Sequence, residues 1–171
     1  VPDFYQGTEF WDLSLVDPDN RRPVDFAARS AALAQADRPD WDRLVEAWPN
    51  GHLKLAWTRH LLELRTELAD AFTHGDYQPL PVSGPHRDHV IAFARRHGDQ
   101  AAIVAVARAL APMSEGGRVW PRGAGFDASL DLRGYKIEGV AEPTGGTGLR
   151  LAALFRHLPV AVLKARCEIP T

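Results

Sequence analysis

A change in hydrophobic periodicity near residue 75 is the feature that most restricts what this chain can fold into. Between residues 53 and 72, large apolar side chains recur every three or four positions, the spacing of one face of an α-helix: Leu53, Trp57, Leu61, Leu64, Leu68 and Phe72. Gly75 follows and can adopt the left-handed backbone that often ends a helix. From Tyr77 onward the apolar residues alternate, as they do in strands. The sequence therefore predicts a helical part followed by a β part.

Two shorter helices are predicted before the long one. Asp25 precedes an Ala-rich and Leu-rich stretch, 26–36, and an aspartate at that place can cap the first turn. A break at 38–40 follows, and Asp40 can cap a second helix over 41–48. Residues 49–51, Pro-Asn-Gly, have the composition of a turn.

The second part of the chain contains about seven short segments of strand-like composition, separated by glycine and proline. Residues 96–99 between two of them indicate a tight hairpin, and 111–125 and 142–148 resemble loops. Short strands at this spacing favour an antiparallel sandwich. The predicted strands are 77–82, 90–95, 101–107, 126–132, 135–140, 149–154 and 158–164.

Composition excludes several classes of function. The net charge of −2 and the pI near 6.4 give no electrostatic basis for binding nucleic acid or an anionic membrane. No apolar run approaches the roughly 20 residues of a membrane span, and no signal pattern opens the chain. The single Cys167 allows no internal disulfide and suits a reducing compartment, so we expect a cytoplasmic location. Because the chain opens with Val1 in strand-like sequence, we also expect a truncation of a longer protein.

The first 26 residues combine a short apolar run with a polar turn. Residues 1–6 are long enough for a strand, and Gly7 allows a sharp turn or a close approach to a ligand. Residues 17–20, Asp-Pro-Asp-Asn, are strong turn formers, and Arg21 and Arg22 follow them. Arginine forks suit carboxylates or vicinal sugar hydroxyls. Two interpretations stay open: a surface turn whose charges pair with each other, or a polar loop at the edge of a site.

Motifs along most of the chain resemble one enzyme family. VPDFYQGTE at 1–9 and DPDNRRPVDF at 17–26 are similar to a block of the maltooligosyltrehalose synthase family, glucosylmutases of the α-amylase superfamily. Further similar segments are GHLKL at 51–55, LLELR at 61–65, GDYQPL at 75–80, DHVIAFAR at 88–95 and LFRHLPVAVL at 154–163. The resemblance is weak between about 111 and 148.

The resemblance implies a fold and a reaction. It implies an α+β fragment, in which 1–74 is the last strand, substrate loop and helices of a (β/α)₈ barrel and 75–171 is a C-terminal β-sandwich. The family converts the reducing-end α-1,4 bond of maltooligosaccharides to an α,α-1,1 bond by intramolecular transglycosylation, with no cofactor and no metal. Its catalytic carboxylates lie on earlier barrel strands, so none is expected in this chain. The implied partners are a maltooligosaccharide and the remainder of the barrel.

The resemblance also implies which residues touch substrate. Asp17 and Arg21 match residues that hold a glucose unit, and Arg22 is expected to brace their loop. Tyr5 and Glu9 are expected to support the site wall. The alternative is that they lie behind the residues that touch substrate or help to close the barrel. Trp11 is the best of five tryptophans for stacking on a sugar ring.

Alternative interpretations remain at this point. The chain could belong to an α-glucan hydrolase of the same superfamily, or be a stand-alone carbohydrate-binding module. His86 and His89 have the spacing of metal ligands but lack a third ligand nearby, so a solvated pair is expected. The glycine-rich stretch 145–148 lacks the lysine of a phosphate loop and is predicted to be a flexible hairpin.

Overall fold

A computed structural model describes residues 5–15, 22–116, 119, 123–139 and 148–168. The chain is an α+β structure whose strands pair antiparallel, as the sequence predicted. It divides into two compact units, Val1–Leu64 and Arg65–Thr171. The division falls inside the helix His52–Glu67.

The first unit contains the predicted helices α1 (Phe26–Ala34), α2 (Trp41–Glu46) and the start of α3 (His52–Glu67). Both predicted caps are confirmed, because Asp25 accepts a hydrogen bond from the N–H of Ala28 and Asp40 accepts one from the N–H of Arg43. α1 and α2 each end two residues earlier than predicted. Between α2 and α3, residues Trp48–Asn50 form a single 3₁₀ turn.

The buried cluster that the structure describes in the first unit is small and built mostly of alanine, and Val45, Leu53 and Leu64 are buried outside it. Ala32, Ala36, Leu55 and Ala56 form this cluster, and Phe10, Trp41 and Leu44 pack against it. Trp57, which lies on the apolar stripe identified in the sequence, is only partly buried. Its ring instead meets the ring of Trp41 edge-on, with centroids 5.5 Å apart. A cluster with so few large side chains buries little apolar area.

The predicted helix over 53–72 is in fact two helices. α3 ends at Glu67, Leu68 leaves the helical conformation at φ −109° and ψ 38°, and α4 (Ala69–Thr73) continues the chain. The predicted left-handed conformation of Gly75 is also wrong, since its φ is not positive. Glycine is needed there for space, because a Cβ would collide with the carbonyl oxygens of Ala71 and Arg96.

The second unit contains two antiparallel sheets in the part of the chain that is described. The five-stranded sheet has the order β1-β3-β4-β8-β6 and the three-stranded sheet has the order β2-β5-β7. The strands are β1 (Asp76–Pro79), β2 (Val82–Ser83), β3 (Val90–His97), β4 (Gln100–Ala107), β5 (Ser129–Asp131), β6 (Tyr135–Ile137), β7 (Gly148–Arg150) and β8 (Val160–Cys167).

The predicted hairpin at 96–99 is confirmed. His97 pairs with Gln100, so Gly98 and Asp99 form a two-residue turn, and Gly98 has the positive φ of 59° that such turns require. The predicted strand 149–154 is wrong from residue 151 onward, where α5 (Leu151–Leu154) forms a helical turn. Most of the predicted loop 142–148 lies outside the described residues.

Both sheets contribute to one hydrophobic core. Ala94 and Ile103 of the larger sheet and Leu130 of the smaller sheet are essentially inaccessible to solvent. Phe126 and Phe155 are equally buried, and their rings meet edge-to-face with centroids 4.8 Å apart. These two rings are the largest fully buried side chains among the described residues.

Replacing Phe155 by Ala should remove this aromatic contact and leave a cavity. We expect the free energy of unfolding to fall by about 3–5 kcal/mol, the usual cost of such a truncation in a packed core. Urea denaturation of the 171-residue chain measures it. Tyr77→Ala, at a side chain that is 56% exposed, is the matched control and should cost less than about 1 kcal/mol. Equal losses for the two variants would contradict this description of the core.

Candidate functional site

The segment before the polar loop lies beside the helices of the first unit. Residues 1–4 of the predicted first strand are outside the described residues, and Tyr5 and Gln6 are not in a strand. The chain turns at Gly7, whose φ is +98°, and a Cβ at that position would lie 2.6 Å from Cγ2 of Val24. Gly7 is therefore required both by its backbone conformation and by the close approach of Val24.

Glu9 is held by an ion pair with Arg29 of α1. Nε of Arg29 donates to Oε2 of Glu9 at 3.0 Å, and the N–H of Gly7 donates to Oε1 at 3.1 Å. The same guanidinium also donates to the carbonyl oxygens of Gly7 and Asp25. These bonds hold the Glu9 carboxylate between α1 and the turn at Gly7.

The electrostatic environment favours the ionised forms of the acids in this segment. Burial opposes ionisation of Glu9, but hydrogen bonds from the N–H groups of Gly7 and of Glu9 itself and from Arg29 outweigh it and lower the pKa below 4.5. Hydrogen bonds from Ser14 lower the pKa of Asp12. A general acid needs a raised pKa, so neither carboxyl is suited to that role.

Lys54 of α3 reaches the same segment from another direction. Its Nζ donates to the carbonyl oxygen of Thr8 at 2.6 Å and to that of Phe10 at 3.0 Å. It also lies 5.8 Å from the ring centroid of Trp11. Nε1 of Trp11 donates to the carbonyl oxygen of Trp48 at 2.5 Å, and the two indole rings meet edge-on.

The structure places the other predicted site residues as follows. Asp17 and Arg21 lie outside the described residues. Arg22 is exposed, and Tyr5 is 72% exposed with its carbonyl oxygen accepting a hydrogen bond from Oγ1 of Thr8. Trp11 keeps 39% of its surface exposed, which leaves part of its ring accessible to a ligand. The structure therefore pairs Glu9 with Arg29 and places Trp11 beside Trp48 and Lys54.

The sequence did not predict the roles of Arg29, which bonds to Glu9 and Gly7, and of Lys54, which bonds to Thr8 and Phe10. Lys54 carried a signal, because it lies in the block 51–55 that matches the family. Arg29 carried none, since a basic residue in an Ala-rich helix is ordinary.

A cleft of about 460 Å³ also lies in this unit, lined by α1, α2 and the following turn, with Gln35, Arg38, Arg43, Asn50 and His52 among its walls.

The histidine pair of the second unit bonds to main-chain groups. Nδ1 of His86 accepts from the N–H of Asp127 at 2.9 Å, and Nδ1 of His89 lies 3.2 Å from the carbonyl oxygen of Ala109. Among the described residues, no three His, Cys, Asp or Glu side chains are grouped as metal ligands would be. Every helix in the described ranges is too short or too polar to cross a bilayer.

Replacing Glu9 by Gln should destabilise the first unit at neutral pH, because Arg29 loses its ionised partner. The folded-state pKa of Glu9 is lowered, so the stabilisation exists above the ordinary value of 4.5 and is lost as pH falls through the folded-state value. We therefore expect the difference in unfolding free energy between wild type and variant to shrink in acid. Urea denaturation at neutral pH and well below 4.5 measures it.

Glu63→Gln is the matched control for this experiment. It removes a more exposed ion pair, with Arg59 on α3, and should change stability less. A difference between wild type and Glu9→Gln that stays constant over the whole pH range would contradict a lowered pKa at Glu9.

Comparison with known proteins gives one consistent relationship, although no family model matches the chain. The chain is 37% identical over 170 residues to proteins named maltooligosyl trehalose synthase in two strains of Mycobacterium tuberculosis, CDC 1551 / Oshkosh and ATCC 25618 / H37Rv. The aligned region covers 95% of this chain but only 18% of each relative.

Solved structures give the same result. Maltooligosyltrehalose synthase from Arthrobacter ramosus matches with a TM-score of 0.66 at 36% identity, and a point mutant of that protein with 0.67 at 35%. Both matches cover 96% of this chain and 20% of the larger one. Over nearly all of its length, the chain is thus homologous to one segment of the maltooligosyltrehalose synthases, the family whose motifs it carries.

Proposed function

We propose that this chain is the C-terminal part of a maltooligosyltrehalose synthase and that it supplies substrate-binding residues at the edge of the active site. The longer protein would convert the reducing-end α-1,4 bond of a maltooligosaccharide to an α,α-1,1 bond by intramolecular transglycosylation. The observation that carries the proposal is the 37% identity over 95% of the chain to proteins of that name. The chain spans about a fifth of their length, so most of the catalytic machinery belongs to the rest of the protein.

The chemistry of the reaction indicates which roles belong to this chain and which belong to the rest of the protein. Retaining glycosyl transfer uses two carboxyl groups about 5–5.5 Å apart, one as nucleophile and one, with a raised pKa, as acid and base. Glu9 is neutralised by Arg29, and the pKa values of Glu9 and Asp12 are both lowered. These acids therefore fit binding and bracing. We assign the nucleophile and the acid/base to the remainder of a (β/α)₈ barrel.

Within this chain, Asp17 and Arg21 would hold a glucose unit. Aspartate accepts hydrogen bonds from vicinal hydroxyls and arginine donates to them, which fixes the position of the ring. Arg22 would brace the loop, and Tyr5 and Glu9 would support the wall of the site. Trp11 would stack against a pyranose face. Fixed positioning is needed because the freed glucose must turn and attack through its anomeric hydroxyl before water does.

The proposal also covers the architecture of the longer protein and its location in the cell. Residues 1–74 would complete the barrel, and residues 75–171 would form a sandwich from the two sheets that share the core of the second unit. The remainder of the barrel would be the partner of the first unit, whose own buried cluster is small. The single cysteine fits a cytoplasmic setting.

The test of the proposed function is an assay of the longer protein with maltooligosaccharides. We expect trehalosyl ends to form, seen as loss of reducing ends without release of free sugar, and the 171-residue chain alone to be inactive. Release of new reducing sugar as the main product would instead identify an α-glucan hydrolase. Turnover by the isolated chain would contradict the absence of a catalytic carboxyl pair.

A substitution tests whether Asp17 binds substrate. Asp17→Ala in the longer protein should raise KM for maltooligosaccharides by about tenfold or more, because a hydrogen bond from a charged group to substrate is lost. Asp37→Ala is the control, since Asp37 forms a surface ion pair with Arg59 on α3. Steady-state kinetics of both variants measures the effect. Unchanged KM and kcat in Asp17→Ala would remove Asp17 from the site.

A further inference from the structure

Three groups of the segment 8–11 surround the ammonium of Lys54. Its ammonium bonds to the carbonyl oxygens of Thr8 and Phe10 and lies against the ring of Trp11. Thr8 and Phe10 are two residues apart, so one cation fixes the backbone on both sides of Glu9. Lysine suits this place because its ammonium carries three donors on a flexible stem and can bond in several directions at once.

The close approach of α3 to this segment depends on Gly51. Gly51 precedes α3 and has a φ of +81°, which favours glycine. A Cβ on Gly51 would lie 2.7 Å from Cβ of Phe10. Glycine therefore lets the start of α3 pass directly beside the segment, and Lys54 follows within the first turn of the helix.

The indole of Trp11 is oriented from two sides. Its Nε1–H donates to the carbonyl oxygen of Trp48, and Lys54 lies against its ring. A ring held at its polar edge and by a cation has little rotational freedom, yet Trp11 remains 39% exposed. A partly exposed and oriented indole can stack on the apolar face of a pyranose ring with little loss of side-chain entropy on binding.

We propose that Lys54 is a positioning residue for the glucan, because it fixes the backbone from Thr8 to Phe10 and the indole of Trp11 on which a glucose unit stacks. This inference rests on the proposed function and deepens it. Lys54 itself makes no bond to substrate; it acts through Trp11 and the backbone from Thr8 to Phe10. Its loss therefore weakens substrate binding more than it slows the chemical step.

The test is Lys54→Met in the longer protein, with maltooligosaccharide as substrate. We expect KM to rise about tenfold while kcat stays within about threefold, since binding is lost through misplacement of a side chain away from the reacting bond. Arg59→Met is the matched control, because Arg59 lies on the same helix but pairs with Asp37 and Glu63. It should leave both constants unchanged. Lys54→Arg, which keeps the charge, should recover part of the affinity.

A purely structural role for Lys54 predicts a different result. Partial unfolding lowers the amount of active protein, so kcat falls while KM stays the same. That outcome, or equal KM changes in the Lys54 and Arg59 variants, would overturn the proposal. If Lys54→Met does not fold, Lys54→Arg gives the same comparison through the ratio of its KM and kcat changes.

A second measurement separates this inference from the proposed function. In the 171-residue chain, the indole N–H resonance of Trp11 should shift in Lys54→Met and not in Arg59→Met. A longer protein that forms no trehalosyl ends would overturn the proposed function, whereas an unmoved indole resonance would overturn the role of Lys54. A moved resonance with unchanged KM would show that Trp11 does not bind the glucan, and the inference would then be wrong.

Discussion

The arrangement of the first unit depends on satisfying the main-chain carbonyl groups of residues 7–10. Buried or half-buried carbonyl oxygens need donors, and this segment has no strand partner among the described residues. Arg29 and Lys54, from two different helices, supply the donors for Gly7, Thr8 and Phe10. Arg29 also pairs with Glu9, and Lys54 lies against the Trp11 ring. The donors that satisfy these carbonyl groups therefore also order Glu9, proposed to support the site, and Trp11, proposed to stack on substrate.

The core of the second unit combines small side chains on its larger sheet with large aromatic rings. The inner face of its larger sheet is made largely of alanine, with Ala92, Ala94, Ala101, Ala105, Ala161 and Ala165 all buried. Small side chains leave room above the sheet, and the large rings of Phe126 and Phe155 lie in the same core. The smaller sheet adds Leu130 and Leu149. Alanine is common in the buried clusters of both units, and the second unit adds two fully buried aromatic rings to it.

Local chemistry explains which predictions from the sequence are confirmed. The caps at Asp25 and Asp40 depend only on a carboxylate next to nearby N–H groups, and the hairpin at Gly98 depends only on turn geometry. The predictions that are wrong concern positions decided by distant neighbours. The helix does end just before Gly75, but Gly75 is not left-handed, and a Cβ there would meet the carbonyl oxygens of Ala71 and of the distant Arg96. Trp57 is on the apolar stripe and yet only partly buried.

The sequence by itself determined the helical and β parts, the alternation of the strands and the relationship to the maltooligosyltrehalose synthases, since periodicity and motifs are properties of neighbouring residues. Only the tertiary structure decided that Glu9 pairs with Arg29, twenty residues away, and that Lys54 bonds to Thr8, forty-six residues away. Such contacts depend on where α1 and α3 lie in space. No local pattern specifies that, because packing between distant elements fixes it.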